Sequence, residues 1–354
     1  MPLRVPQRKR GEWRFIIVIA VLLAILQIEG CYYMQAIRGQ FEVMNSRQPI
    51  PEVIADAASP DDLKKRLRIV QEARDFAVDE LLLPDNKSYR SYADLGRDYV
   101  VWNVFAAPEF SLDPKTWCYP VAGCVAYRGY FAEEAARKKA QSLRDDGYDV
   151  AVGGVSAYST LGKFSDPVLN TMMRWSDVQL ISTIFHELAH QKLYIKGDTA
   201  FNESFATAVA EIGMTRWLEG RDELASVGVF DANRALRQSM MTLVDASKTE
   251  LKALYESDLD DDAKRVSKQE LLDDLSAAAA RLLEASRPAT TNWLVPPLNN
   301  ARLASLGLYE GHHGAFKKIL RDCNGQLACF YVETKELAEL ELDERKQRLD
   351  QMAD

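Results

Sequence analysis

The stretch Ile181-Ser-Thr-Ile-Phe-His186-Glu187-Leu-Ala-His190-Gln191 decides how the chain is read. Two histidines four residues apart on a helix differ by about 40° of rotation and one turn of rise, so both imidazoles face one point. Glu187 lies between them and can reach a water held at that point. Such a pattern implies metal-assisted hydrolysis, with two imidazole ligands and a carboxylate as general base. The plain alternative is a pair of satisfied buried histidines.

A tetrahedral catalytic zinc takes three protein ligands and keeps a fourth position open, so a third ligand is needed. Downstream runs Thr199-Ala-Phe-Asn202-Glu203-Ser204-Phe205-Ala206. A helix ending near Ile195 travels roughly 7.5 Å beyond His190, and a return helix capped at Asp198 or Thr199 travels roughly 6 Å to Glu203, at 1.5 Å per residue. These distances nearly cancel, so an antiparallel hairpin brings Glu203 level with the histidines, whereas Glu211 falls about two turns past them. Without a metal, Glu203 is an ordinary carboxylate favoured in a first helical turn.

His-Glu-Leu-Ala-His followed by Asn-Glu-Ser-Phe-Ala resembles the gluzincins, whose third zinc ligand is the glutamate of an Asn-Glu-x-x-Ala sequence on the next helix. More closely, Pro108-Glu-Phe110, Cys118-Tyr-Pro-Val-Ala-Gly-Cys124, Tyr127-Arg-Gly-Tyr130, Ala157-Tyr-Ser-Thr-Leu-Gly162 and the His-Glu helix together resemble a bacterial family of predicted aminopeptidases, over most of residues 31–335. The resemblance implies Zn2+ held by His186, His190 and Glu203, a peptide substrate and exopeptidase activity. It also implies an α+β, mostly helical zincin-like metallopeptidase fold, with a small mixed β-sheet upstream of the active-site helices. A non-catalytic zinc-binding envelope lipoprotein and a zinc endopeptidase are the competing readings.

Around that centre, Asn202 is expected to position the histidines or their water, and Thr207 stands where many gluzincins carry an aspartate. The donor to the oxyanion is sought in Leu308-Tyr-Glu-Gly-His-His-Gly314, with Tyr309 first and His312 or His313 behind it. Ala157 and Tyr158 leave a strand about where metallopeptidases pair with substrate backbone, and Tyr127, with Arg128 and Tyr130, is a candidate lining residue. An exopeptidase also needs an acidic group for the substrate amine, for which Glu109 or Asp166 could serve.

Outward from the motif, residues 1–30 form a leader, residues 31–98 a helical segment, residues 99–214 a catalytic α/β core and residues 215–354 a helical region. Ser59 begins a charged amphipathic helix that stops at Pro84. The β-branched and aromatic runs over Tyr99 to Phe105 and Val121 to Phe131, a helix over Glu133 to Asp146 and the run from Tyr148 to Val155 read as strand, helix, strand. The acidic run from Asp258 to Asp262 reads as a solvated helix junction.

The leader has an export order: Arg4, Arg8, Lys9, Arg10 and Arg14, then an apolar run from Phe15 to Leu26, then Ile28-Glu-Gly-Cys31. That ending looks like a lipobox with Cys31 as the lipidated residue; an uncleaved signal anchor and simple cleavage are the alternatives. The other cysteines fall as Cys118/Cys124 and Cys323/Cys329, which fits two disulfides in an oxidising compartment, or buried thiols. A membrane-anchored protein facing the periplasm in the bacterial cell envelope follows. Without the first thirty residues the chain carries 39 basic and 50 acidic side chains, which argues against a nucleic-acid partner. Nothing in the sequence sets the oligomeric state.

Overall fold

The computed structural model describes residues 32–119, 123–157, 159–221, 224–286, 297–306 and 312–353. The leader, Cys31, Tyr158 and Tyr309 therefore lie outside the described residues. Residues 32–45 form helix α1, which exposes Tyr33, Met34, Ile37 and Phe41. Among the described residues no helix is long and apolar enough to cross a membrane.

Residues 46–354 form one compact unit. It opens with strand β1 (Arg47–Pro49), helix α2 (Ile50–Ala55) and helix α3 (Asp61–Asp79). Asp61 and Asp62 occupy the first turn of α3, where the helix dipole favours negative charge, and Leu67, Val70, Ala73, Arg74 and Ala77 form its buried face. The helix ends at Asp79, short of Pro84, and Leu82 reverses the chain with φ 54°. The segment before residue 99 is not all helix, since β1 pairs antiparallel with β2 (Ser91–Ala93), and β2 pairs parallel with β8 (Val168–Leu169).

The second sheet has the order β6-β3-β7, built from β3 (Val101–Pro108), β6 (Arg128–Tyr130) and β7 (Tyr148–Val155), with α4 (Glu133–Asp145) packed on β3 and β7. The strand-helix-strand unit is β6-α4-β7, whose strands run the same way as such a crossover requires. They do not touch, because β3 lies between them and pairs antiparallel with both. Mixed pairing thus occurs in the small sheet of β1, β2 and β8. A third pairing, β4 (Trp117–Tyr119) with β5 (Gly123–Val125), sets Cys118 opposite Cys124, and the two are joined by a disulfide.

The rest is helical: α5 (Asp177–Lys192), α6 (Thr199–Glu219), α7 (Leu224–Glu256), α8 (Asp261–Ser286), α9 (Asn300–Leu306), α10 (His313–Asp322), α11 (Leu327–Glu339) and α12 (Leu342–Ala353). Helices α7 and α8 pack as a long hairpin around Met241, Val244, Leu251, Leu272 and Leu275. Their acidic junction is exposed, and Asp260 caps α8 by accepting from Ala263 N at 2.9 Å. Lys268 fastens α8 to the sheet through Asp149 (2.7 Å) and the Glu109 carbonyl (2.8 Å). On the other side, Phe316 and Phe330 stack against Phe201 and Phe205 of α6, and a disulfide joins Cys323 to Cys329.

Candidate metal centre

Helix α5 is fixed at its start by Ser176, whose side chain accepts from Gln179 N, and by an ion pair of Asp177 with Arg66 at 2.9 Å. Leu180, Ile181, Ile184, Phe185, Leu188 and Ala189 are buried, which locks the rotation of the helix and thereby the direction of His186 and His190. Its partner α6 is buried nearly all round. Close approach is possible because residue 213 is glycine: a Cβ there would lie 2.6 Å from Leu81 and 2.8 Å from Phe185.

The turn between the helices sets the register of the third ligand. Gly197 takes φ 88°, a conformation costly for any residue with a Cβ. Asp198 caps α6 by accepting from Phe201 N at 3.1 Å, and its other oxygen accepts from Arg345 of α12 at 2.9 Å, with both side chains 5% exposed. Asn202 accepts from Ile195 N at 2.8 Å and donates to Ile195 O at 2.7 Å. Its amide thus clamps the turn, and both of its hydrogen bonds go to Ile195 rather than to the histidines.

Glu203 consequently arrives level with α5. Its Oε2 lies 3.2 Å from His186 Nε2, its Oε1 3.6 Å from His190 Nε2, and the two imidazole nitrogens are 3.1 Å apart. A tetrahedron with metal–donor distances near 2.0–2.1 Å has edges of about 3.3 Å. The three donors already stand at that spacing, so the residues present fit a divalent cation. Among the described residues this is the His/Cys/Asp/Glu cluster able to hold one.

The electrostatics suit the same task. Burial and the neighbouring His186 charge push His190 down to about 4, so its ring is neutral, as a ligand must be. Burial alone would raise Glu203, but His186, His190 and Arg237 outweigh it and hold the carboxyl below its ordinary value. Glu187 moves the other way, raised by burial and by the Glu203 and Asp166 charges against the opposing pull of His186 and a Ser159 hydrogen bond. Two neighbouring carboxylates are thus shifted in opposite directions by their surroundings.

Behind Glu187 lies a group that sequence reading had missed. Tyr89 is buried with φ 61°, and burial and the Glu187 charge raise its hydroxyl well above the ordinary phenol value. Its loop is held by the buried Arg74 guanidinium, which donates to the carbonyls of Pro84, Asn86 and Ser88 at 2.6, 3.2 and 3.1 Å. Positive φ at a tyrosine leaves no mark in composition or periodicity.

A cleft of about 620 Å³ opens beside His186 between α5, α6, α7 and α9. Thr207 lines it, as do Glu211, Arg234, Arg237 and Arg302; Tyr127 and Ala157 are not in its wall. Tyr127 is half-exposed against Phe105, and Ala157 follows β7 rather than extending it. His312 turns toward Asp350 of α12 at 3.6 Å, and His313 lies 3.1 Å from Glu211. Neither expected amine partner is in the cleft. Glu109 is gripped by Arg265 at 2.7 and 3.1 Å, and Asp166 is buried and bonded by Thr160 through N and Oγ1, both at 2.8 Å.

A family model described as "Putative aminopeptidase" matches residues 31–349. No curated protein and no solved structure matches the chain.

Proposed function

The chain belongs to that peptidase family, and from this membership we propose that it is a zinc-dependent aminopeptidase whose metal is held by His186, His190 and Glu203. The observation that carries the reading is the triangle of donor atoms, 3.1, 3.2 and 3.6 Å on its sides, formed from two imidazoles and one carboxylate. Zinc bound there would polarise the scissile carbonyl and acidify a water.

Glu187 is the general base. Adjacent in sequence to His186, whose charge it feels, it accepts the water proton and delivers it to the leaving nitrogen. The buried surroundings raise its pKa above the ordinary carboxylate value, the direction that suits a proton acceptor. Tyr194, whose ring lies 6.3 Å from that of His190, and Arg237, whose charge is felt by His186 and Glu203, are the described side chains best disposed to stabilise an oxyanion. An endopeptidase with the same chemistry is the second reading, favoured by the engagement of Glu109 with Arg265, away from the donors.

The basic and apolar leader, Cys31 and two disulfides support a protein tethered to the bacterial cell envelope and facing the periplasm, through a lipid or signal anchor. The decisive experiment is metal analysis of the purified protein, paired with hydrolysis of aminoacyl anilides by wild type and Glu187→Gln. One zinc per chain, turnover by wild type and zinc without turnover in the variant are expected. A metal-free protein, or equal turnover by the two, would refute the assignment.

A further inference from the structure

Glu187 and Gln191 stand one turn apart on α5 and so project from one side of the helix. Two loops cover that side. From the first, Asn86 donates to Gln191 Oε1 at 2.7 Å, and Ser88 accepts from Gln191 Nε2 at 3.4 Å. From the second, a Cβ on Gly162 would lie 3.2 Å from the Gln191 side chain. The loops are fastened to each other, because Tyr89 N donates to Asp166 O at 2.6 Å. What they bring to Glu187, one turn before Gln191, is the Ser159 hydroxyl, which hydrogen-bonds its carboxyl.

A hydroxyl offers one proton and two lone pairs. Leu161 N donates to Ser159 Oγ at 3.2 Å, and the Tyr89 side chain is a second partner. Burial holds the Tyr89 phenol well above its ordinary value, so that group keeps its proton and donates it. With both lone pairs taken, the Ser159 proton is left for a carboxylate, and two are within reach. Asp166 already accepts from Thr160 N and Oγ1, both at 2.8 Å, and its contact with Ser159 is long, at 3.4 Å. Glu187 is therefore the better taker.

Both donors onto Ser159 come from residues with positive φ, 61° at Tyr89 and 55° at Leu161. That conformation is unfavourable for either side chain, and it persists where surrounding contacts impose it, often beside functional groups. Asp166 imposes it here: buried at 1% exposure, it holds Thr160 through its carboxyl and Tyr89 through its carbonyl.

We propose that Ser159 is a positioning residue for Glu187: its hydroxyl, oriented by Tyr89 and Leu161, fixes the direction in which the general-base carboxyl points. This rests on the peptidase reading for the role of Glu187, and it gives the segment after β7 a task other than pairing with substrate backbone.

The test compares the full chain, loaded with zinc, as wild type, Ser159→Ala, Ser159→Thr and Tyr89→Phe. Turnover is read with aminoacyl anilides and an internally quenched peptide, and Glu187 is read directly in crystal structures of the same proteins. Loss of a hydrogen bond to a charged group should lower kcat of Ser159→Ala by about 10- to 100-fold. KM and zinc content should stay unchanged, and the Glu187 side chain should turn from its wild-type direction. Ser159→Thr, which keeps the hydroxyl, should recover most of the loss. Tyr89→Phe keeps the ring and removes only the donor, so it should lower kcat by less. An undiminished kcat in Ser159→Ala, or a Glu187 side chain that keeps its wild-type direction there, overturns the proposal. Should Ser159→Ala fail to fold, the same two readings on Tyr89→Phe decide it. No turnover by wild type, with Glu187 displaced in the variants, would sink the peptidase reading and leave the positioning role standing.

Discussion

Asn202 satisfies both backbone polar atoms of Ile195, at 2.8 and 2.7 Å, and the residue that follows it is Glu203, the carboxylate of the candidate metal centre. A side chain adjacent in sequence to a candidate ligand thus acts on the turn. Removing it should loosen the register of Glu203 without removing a ligand. We expect Asn202→Ala to weaken zinc binding by no more than the roughly 1–3 kcal/mol that its two hydrogen bonds to the turn contribute. Competition with a chromogenic chelator measures it, and unchanged affinity would mean that the turn holds without the clamp.

Gly213 controls how closely α6 approaches α5. Gly213→Ala places a methyl 2.6 Å from Leu81 and 2.8 Å from Phe185, and should cost about 1–3 kcal/mol in urea unfolding. Gly228→Ala is the matched control, since a Cβ at that helical position meets nothing within 4 Å. It should stabilise by about 0.5–1 kcal/mol.

Arg345 and Asp198 form an ion pair with each side chain 5% exposed. Arg345→Met leaves a buried carboxylate without its cation and should destabilise the fold by roughly 3–5 kcal/mol. Adding Asp198→Asn removes the stranded charge and should recover part of the loss. A double variant as unstable as the single one would show that Arg345 acts through its bonds to the Ala338 and Leu340 carbonyls rather than through its charge.

Glu211 contributes a pH-dependent share of stability. Its carboxyl is held below the ordinary 4.5, because His313, Lys317 and Arg234 outweigh the upward push of burial. A lowered folded value stabilises fully above the unfolded one and loses that contribution as pH falls through the folded value. Thermal melts of wild type and Glu211→Gln should therefore differ most at neutral pH, with the gap shrinking as pH falls below the ordinary 4.5. A gap that stays constant from pH 7 to pH 3.5 would contradict the shift.

The parts of the site that were legible in the sequence depend on local geometry. His186, His190 and Glu203 lie within one hairpin, where helical rise and a short turn fix relative heights. Long-range packing was invisible. Arg237 reaches the site because α7 folds back over α5 and α6, and no pattern within α7 states that. His312 looked like a neighbour of the metal but faces Asp350, since α12 covers α10. Strands β1 and β2, at three residues each and with Pro49 in one of them, are too short for alternation to register. The Glu133 helix and its flanking strands were readable, whereas the insertion of β3 between β6 and β7 was a matter of topology.

The link from Asp198 to Arg345 has a temporal consequence. A chain emerging from the ribosome presents both histidines and Glu203 long before residue 345 follows. Until then Asp198 has no Arg345 to pair with, so the start of α6 is ordered by its own turn and cap alone. The last helix thus tightens a hairpin made much earlier, and a C-terminally truncated chain would keep all three candidate donors in a looser arrangement.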